Sequence, residues 1–175
     1  MIHGDLKPQN VLVFRTATGG ITTKVTDFGY SALWESSTRS VHLPKSRPWN
    51  APELDSQNNF TLSEAKKIDA YSFGMLCFWL LVGHSILDTP IDIEGRLESV
   101  SFDLPSVRGK LSLLEELKHR GKMEEVAYQL ARKISSLEAE YESRLKPLFG
   151  LTITGNIKRR TSDFGELMVL FDQER

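Results

Sequence analysis

The stretch TLSEAKKIDAYSFGMLCFWLLVG, residues 61–83, constrains the fold more than any other part of the chain. Thr61 and Glu64 have the spacing of a capping box, in which a hydroxyl and a carboxylate satisfy each other's backbone N–H groups and start a helix. From Tyr71 onward apolar residues lie on all sides of that helix. A helix apolar all round has no face to give to water, so it must be the central one, surrounded by the rest of the domain. Gly83 is placed to end it. The longest apolar run, residues 73–82, is about half of the ~20 residues that a membrane span requires, so no membrane is expected. Cys77, the single cysteine, sits in this run and is expected to pack as a small hydrophobe. That usage, with no leader-like N-terminal segment, implies a soluble protein of a reducing, cytoplasmic compartment.

The remaining elements must wrap this helix. At 175 residues the chain is expected to form one domain. Residues 11–14 and 21–25 suit two strands, joined by a loop at Ala17, Thr18, Gly19 and Gly20, which gives a small hairpin. Residues 30–61 are rich in Ser, Thr, Asn and Pro without periodicity, the mark of a long functional loop. In the second half, Ser112 and Glu115 have capping spacing and Gly121 is placed as a stop. Val126, Leu130, Ile134, Leu137, Tyr141, Leu145 and Leu148 recur in steps of three or four. They predict one helix over residues 123–148, packed on its own domain rather than extended as a coiled-coil arm. The segment SDFGELMVLF predicts a last amphipathic helix. The fold class is therefore mainly α with a small β-hairpin, α+β. With 22 Lys and Arg against 23 Asp and Glu, the overall field favours neither nucleic acid nor an anionic membrane, and charged ligands must be held locally.

Chemistry-bearing residues crowd MIHGDLKPQNVLVF, at the head of the hairpin. If Asn10 precedes the first strand and Asp27 follows the second, both arrive at the same end of the ribbon, with Asp5 on the loop just before. An amide oxygen and a carboxylate converging there make a hard-oxygen site suited to Mg²⁺. A second carboxylate can accept a proton from a hydroxyl, and Lys7 can neutralise a phosphoryl group. Together these parts point to phosphoryl transfer, in which positioning and electrostatics do most of the catalysis.

HGDLKPQN at residues 3–10, DFG at 27–29, APE at 51–53 and DAYSFG at 69–74 resemble, in order and spacing, the large lobe of a eukaryotic protein kinase. The resemblance extends over essentially the whole chain, KRRTSDFGEL included. It implies a single partial kinase domain over residues 1–175, with a catalytic loop at 2–14, a DFG and activation segment at 27–53, a central helix at about 69–82 and a helical remainder at 110–172. It makes Asp5 the catalytic base, Lys7 the contact to the transferring phosphate, and Asn10 and Asp27 the Mg²⁺ ligands. Leu12 would floor the adenine pocket and Thr26 line it. His3 and Phe28 would pack around the catalytic loop, with Gly29 completing the DFG turn. Ser46, in KSRPWNAPE, would sit in the substrate-docking segment and bond Asp5 and Lys7. Glu53 would pair with Arg159, and Asp69 would brace the catalytic loop. Lys7 resembles the serine/threonine branch, so the implied cofactors are ATP and Mg²⁺ and the implied partner is a protein bearing a Ser or Thr hydroxyl.

Three departures qualify the likeness. Gly4 replaces the Arg that in many kinases reads a phosphate on the activation loop, even though Ser36, Ser37, Thr38 and Ser40 offer hydroxyls. No glycine-rich phosphate loop, strand lysine or paired Glu is present in the sequence, so a missing N-terminal lobe is expected and the chain alone is expected to transfer phosphate poorly. Residues 85–148 are longer than the corresponding helices of the family. The same residues are compatible with a noncatalytic kinase-lobe interaction module using helices 110–148, or with a gene fragment. The second DFG, at residues 163–165, falls in a helix and is given no role.

Overall fold

A computed structural model describes residues 1–32, 40–82, 107–132 and 139–171. Ser36, Ser37, Thr38, Gly83, Ile134 and Leu137, and with them part of the 85–148 stretch, lie outside the described residues. Among the described residues the architecture is five α-helices and a two-stranded antiparallel sheet, the α+β class that the pattern predicts. Strand β1 (Val11–Arg15) pairs with β2 (Ile21–Val25), Val11 opposite Val25 and Arg15 opposite Ile21. Gly19, at φ +84, makes the turn.

The central helix α1 (Leu62–Val82) begins as its capping box requires. Thr61 N donates to Glu64 Oε2 at 2.8 Å, and Glu64 N donates back to Thr61 Oγ1 at 3.3 Å. Ile68, Tyr71, Met75, Phe78 and Val82 form one buried stripe at steps of three and four, and Ala70, Ser72, Gly74 and Leu76 are buried on other sides, so most of the helix is enclosed. Leu80, 76 % exposed, departs from the all-round pattern near its end. Packed around it are α2 (Val107–His119), α3 (Met123–Ala131), α4 (Ala139–Thr152) and α5 (Phe164–Val169). Phe78 meets Phe149 of α4 in an edge contact at 6.4 Å, and Gly74 lets the backbone of α1 approach Thr152. Each fully buried large apolar side chain contributes about 1.5–3 kcal/mol. Cys77 is a free thiol in this helix, and burial pushes its pKa up to about 12, so it packs as a hydrophobe. No described helix is long and apolar enough to cross a membrane.

Two helical boundaries differ from the sequence pattern. Ser112 lies inside α2 rather than at its start, and its hydroxyl donates to Arg108 O one turn back. The 123–148 stripe does not form one helix. It is divided between α3 and α4, which pack against each other and both contact α1. A heptad-like stripe specifies a buried face but not where the chain turns, and burying both faces against α1 requires the turn. The apolar faces of α2 and α3 are spent on the core, with Leu113, Leu114, Leu117, Val126 and Leu130 all buried. In the second DFG, Asp163 is the N-cap of α5 and accepts from Gly165 N at 2.9 Å.

Candidate active site

The loop at residues 3–10 is anchored at both ends. Asp69, on α1, accepts the backbone N–H groups of His3 at 2.6 Å and Gly4 at 2.9 Å. A tight loop cannot satisfy such donors within itself, and burying them unpaired would be costly. Burial raises the Asp69 carboxyl above its ordinary pKa, opposed by these two N–H bonds, which favour the ionised form. At the far end a 3₁₀ turn, Pro8–Asn10, feeds β1. Asn10 donates its side-chain N–H to Asp5 O at 2.9 Å, and Thr26 N donates to Asn10 O at 2.9 Å.

Between the anchors, Lys7 Nζ lies 2.6 Å from Asp5 Oδ2 and 3.2 Å from Ser46 Oγ. Ser46 therefore reaches Lys7 but not Asp5, one of the two bonds expected of it. Asp5 is buried, and its second oxygen, Oδ1, has no hydrogen-bond partner. An unpaired buried acceptor costs about 1–3 kcal/mol, so this oxygen is acceptor capacity open to water or to a substrate donor.

The hairpin brings the second half of the constellation to this place. The Asn10–Thr26 bond extends the β1–β2 ladder by one pair, and Asp27 is the first residue past it. Asp27 has φ 62, a left-handed backbone that non-glycine residues adopt mainly where the surroundings hold them. Its exposed carboxylate accepts from Gly29 N at 3.3 Å. His3 ties the two loops together. It accepts from Asp5 N at Nδ1 (3.2 Å), so its proton is on Nε2, which donates to Thr26 O at 2.9 Å. Its ring meets Phe28 at 5.2 Å, with Phe28 itself half-exposed. Leu12 is likewise exposed, on the open face of the hairpin.

The donor set is of the chemical kind that magnesium takes. Asn10 spends its N–H on Asp5 O and leaves its amide oxygen, Asp27 offers a carboxylate, and both are hard oxygens of the kind Mg²⁺ takes one or two at a time beside phosphate and water.

Glu53 is held by Arg160 rather than by Arg159. The guanidinium of Arg160 binds both carboxylate oxygens of Glu53, with Nη2 2.9 Å from Oε2, donates Nε–H to Thr154 O at 2.9 Å, and stacks 4.6 Å over the Tyr71 ring. Arg159 instead points outward, 3.2 Å from Glu124. The 3₁₀ turn Ile157–Arg159 ends between them, and the extended backbone at Arg160 (φ −74°, ψ 144°) sends adjacent side chains in different directions. The pattern reading also passed over Lys118, which is buried beneath residues 48–50. A signal was present: Lys118 continues the Leu111–Leu114 stripe of α2 at the next turn, on the inward face.

The profile of the protein kinase domain family matches residues 1–146, and the chain belongs to that family. Among its relatives are a receptor-like protein kinase of Ipomoea nil, 28 % identical over 82 % of this chain and 13 % of its own length. A light-sensor protein kinase of Ceratodon purpureus is 34 % identical over 61 % of this chain and 10 % of its own. A probable serine/threonine-protein kinase, PknB, of Lactococcus lactis is 36 % identical over 61 % of this chain and 16 % of its own. The chain thus spans a small part of each relative's length.

Proposed function

We propose that this chain is the large lobe of a protein serine/threonine kinase, in which Asp5, Lys7, Asn10 and Asp27 carry transfer of the γ-phosphate of ATP to a Ser or Thr hydroxyl of a protein. One observation carries the reading: the buried, unpartnered Oδ1 of Asp5, whose other oxygen is fixed by Lys7 at 2.6 Å. A substrate hydroxyl is the donor that this oxygen lacks. ATP with Mg²⁺ supplies the phosphoryl group and screens its charge. Asn10 and Asp27 would hold the cation, and Lys7, which keeps Asp5 Oδ2 in place, would present a remaining N–H to the phosphate oxygens. Asp5 orients the hydroxyl and takes up its proton at Oδ1. The serine/threonine assignment rests on Lys7 and on what the relatives are named.

The same reading includes a smaller lobe docked on the hairpin. Val13, Ile21 and Val25 share one face of the hairpin and are 65 %, 74 % and 40 % exposed, an apolar group of the kind that marks an interface, with Leu12 and Phe14 exposed on the opposite face. A glycine-rich loop and a strand lysine would come from that lobe. Each missing charge-stabilising donor costs about 3–4 kcal/mol of transition-state stabilisation, so the chain by itself should be nearly inactive.

The test is to express the chain with its preceding coding sequence and measure phosphorylation of Ser/Thr peptides by Mg-ATP. Asp5→Asn should lower kcat by about 10²–10⁴. Equal rates for the two proteins would end the assignment.

A further inference from the structure

Beneath the segment that carries Ser46 lies a group of charges that the phosphoryl-transfer chemistry does not use. Asp55, Glu115 and His119 each place one potential ligand atom within 4.8 Å of the others. Two cations already face them. Arg47 lies 2.7 Å from Asp55 and 3.8 Å from Glu115, and Lys118 binds Glu115. Burial alone would raise the Asp55 carboxyl, but the hydrogen bond and charge of Arg47 outweigh it and hold the group below its ordinary pKa. The cluster is an ion-pair network whose positive charge the protein itself supplies.

Its buried member is Lys118. One N–H of the ammonium goes to Glu115 Oε1, and the other two are shared among Pro48 O at 3.4 Å, Asn50 O at 3.2 Å and Asn50 Oδ1 at 3.3 Å; the side chain is wholly removed from solvent. An ammonium has three donors and no acceptor, so a buried one demands several oxygens. The turn at residues 46–50 closes with Trp49 N and Asn50 N donating to Ser46 O, and the carbonyls of Pro48 and Asn50 receive the ammonium. Each satisfies the other. The opposite side of the segment is fixed by Trp49, edge-on to Trp79 of α1 at 5.8 Å. Asn50, which Lys118 holds twice, lines the same small cavity as Asp5 and Ser46.

We infer that Lys118 is a positioning residue for substrate docking: from α2 it fixes residues 48–50 and thereby holds Ser46 within reach of Lys7, beside the small cavity that Asp5 lines. This rests on the kinase reading above for its effect on turnover, but not for its effect on the segment.

The test uses the full-length protein with Lys118→Met, and with Asn50→Ala as a milder variant should the first fail to fold. Peptide KM should rise about tenfold with ATP KM unchanged, a loss confined to substrate placement. Amide exchange at residues 46–51 should quicken by about tenfold or more while that of α4 stays as in the parent. Unchanged exchange at 46–51, or equal acceleration there and in α4, would overturn the inference, since the first means no tie and the second general core support. Altered exchange with an unaltered peptide KM would overturn the link to docking. A parent protein that phosphorylates no peptide would defeat the kinase reading, and the exchange data would still decide the tie.

Discussion

The carboxylate of Asp69 lies 2.6 Å from the backbone nitrogen of His3, across 66 positions of sequence. With the neighbouring bond from Gly4, this joins the central helix to the loop that carries Asp5 and Lys7, so the loop's shape depends on the core.

Asp69→Ala should destabilise the protein by about 1–3 kcal/mol for each of the two buried donors it orphans, measured by urea unfolding. Its pH signature has a definite sign. The folded carboxyl binds its proton at higher pH than the unfolded one, so its contribution to stability is greatest below the unfolded pKa of 3.8 and declines as pH rises through the folded value. In Asp69→Asn that decline should vanish. A parent-minus-variant stability difference that is flat from acid to neutral pH would contradict the burial argument.

Gly4→Arg restores the residue common in the family but should not restore its role. The backbone at Gly4 has φ +86, and a Cβ would stand 2.7 Å from Tyr30 O and 3.1 Å from Leu43 Cδ2. A side chain in that conformation costs about 1–2 kcal/mol before any clash. Both Gly4→Ala and Gly4→Arg should therefore lower the unfolding free energy by at least that much, read by chemical denaturation.

The two adjacent arginines should behave unequally. Arg160 has no exposed side-chain surface, and removing it leaves the Glu53 carboxylate without its partner, which costs about 3–5 kcal/mol. Arg159 is 59 % exposed, and its pair with Glu124 is worth about 0–1 kcal/mol. Unfolding curves of Arg160→Gln and Arg159→Gln should differ accordingly. Similar losses would contradict the assignment of Glu53 to Arg160.

Gly74→Ala sets two effects against each other. Helix propensity favours Ala over Gly by about 1 kcal/mol. The added Cβ would meet Thr152 Oγ1 at 2.2 Å and Thr152 Cβ at 2.6 Å, and overpacking of this kind typically costs 1–3 kcal/mol or more. The steric term should win, giving a lower melting temperature. Gly74→Ala with Thr152→Gly should recover part of the loss.

Whatever rests on neighbours in sequence was legible before any coordinates. The capping box at Thr61 and Glu64, the all-round burial of residues 68–78, the hairpin and the gathering of Asp5, Lys7, Asn10 and Asp27 near one end of it all follow from spacing. Periodicity and cap chemistry act within a turn or two of helix or along one ladder, so the local pattern is enough. Tertiary structure alone chose Arg160 over Arg159, split the 123–148 stripe into α3 and α4, and buried Lys118 under residues 48–50. The Lys118 and Arg160 contacts join groups 68 and 107 positions apart. Which of two adjacent arginines meets a distant carboxylate depends on backbone direction and on the space left by the core, and neither is carried by residue type or spacing.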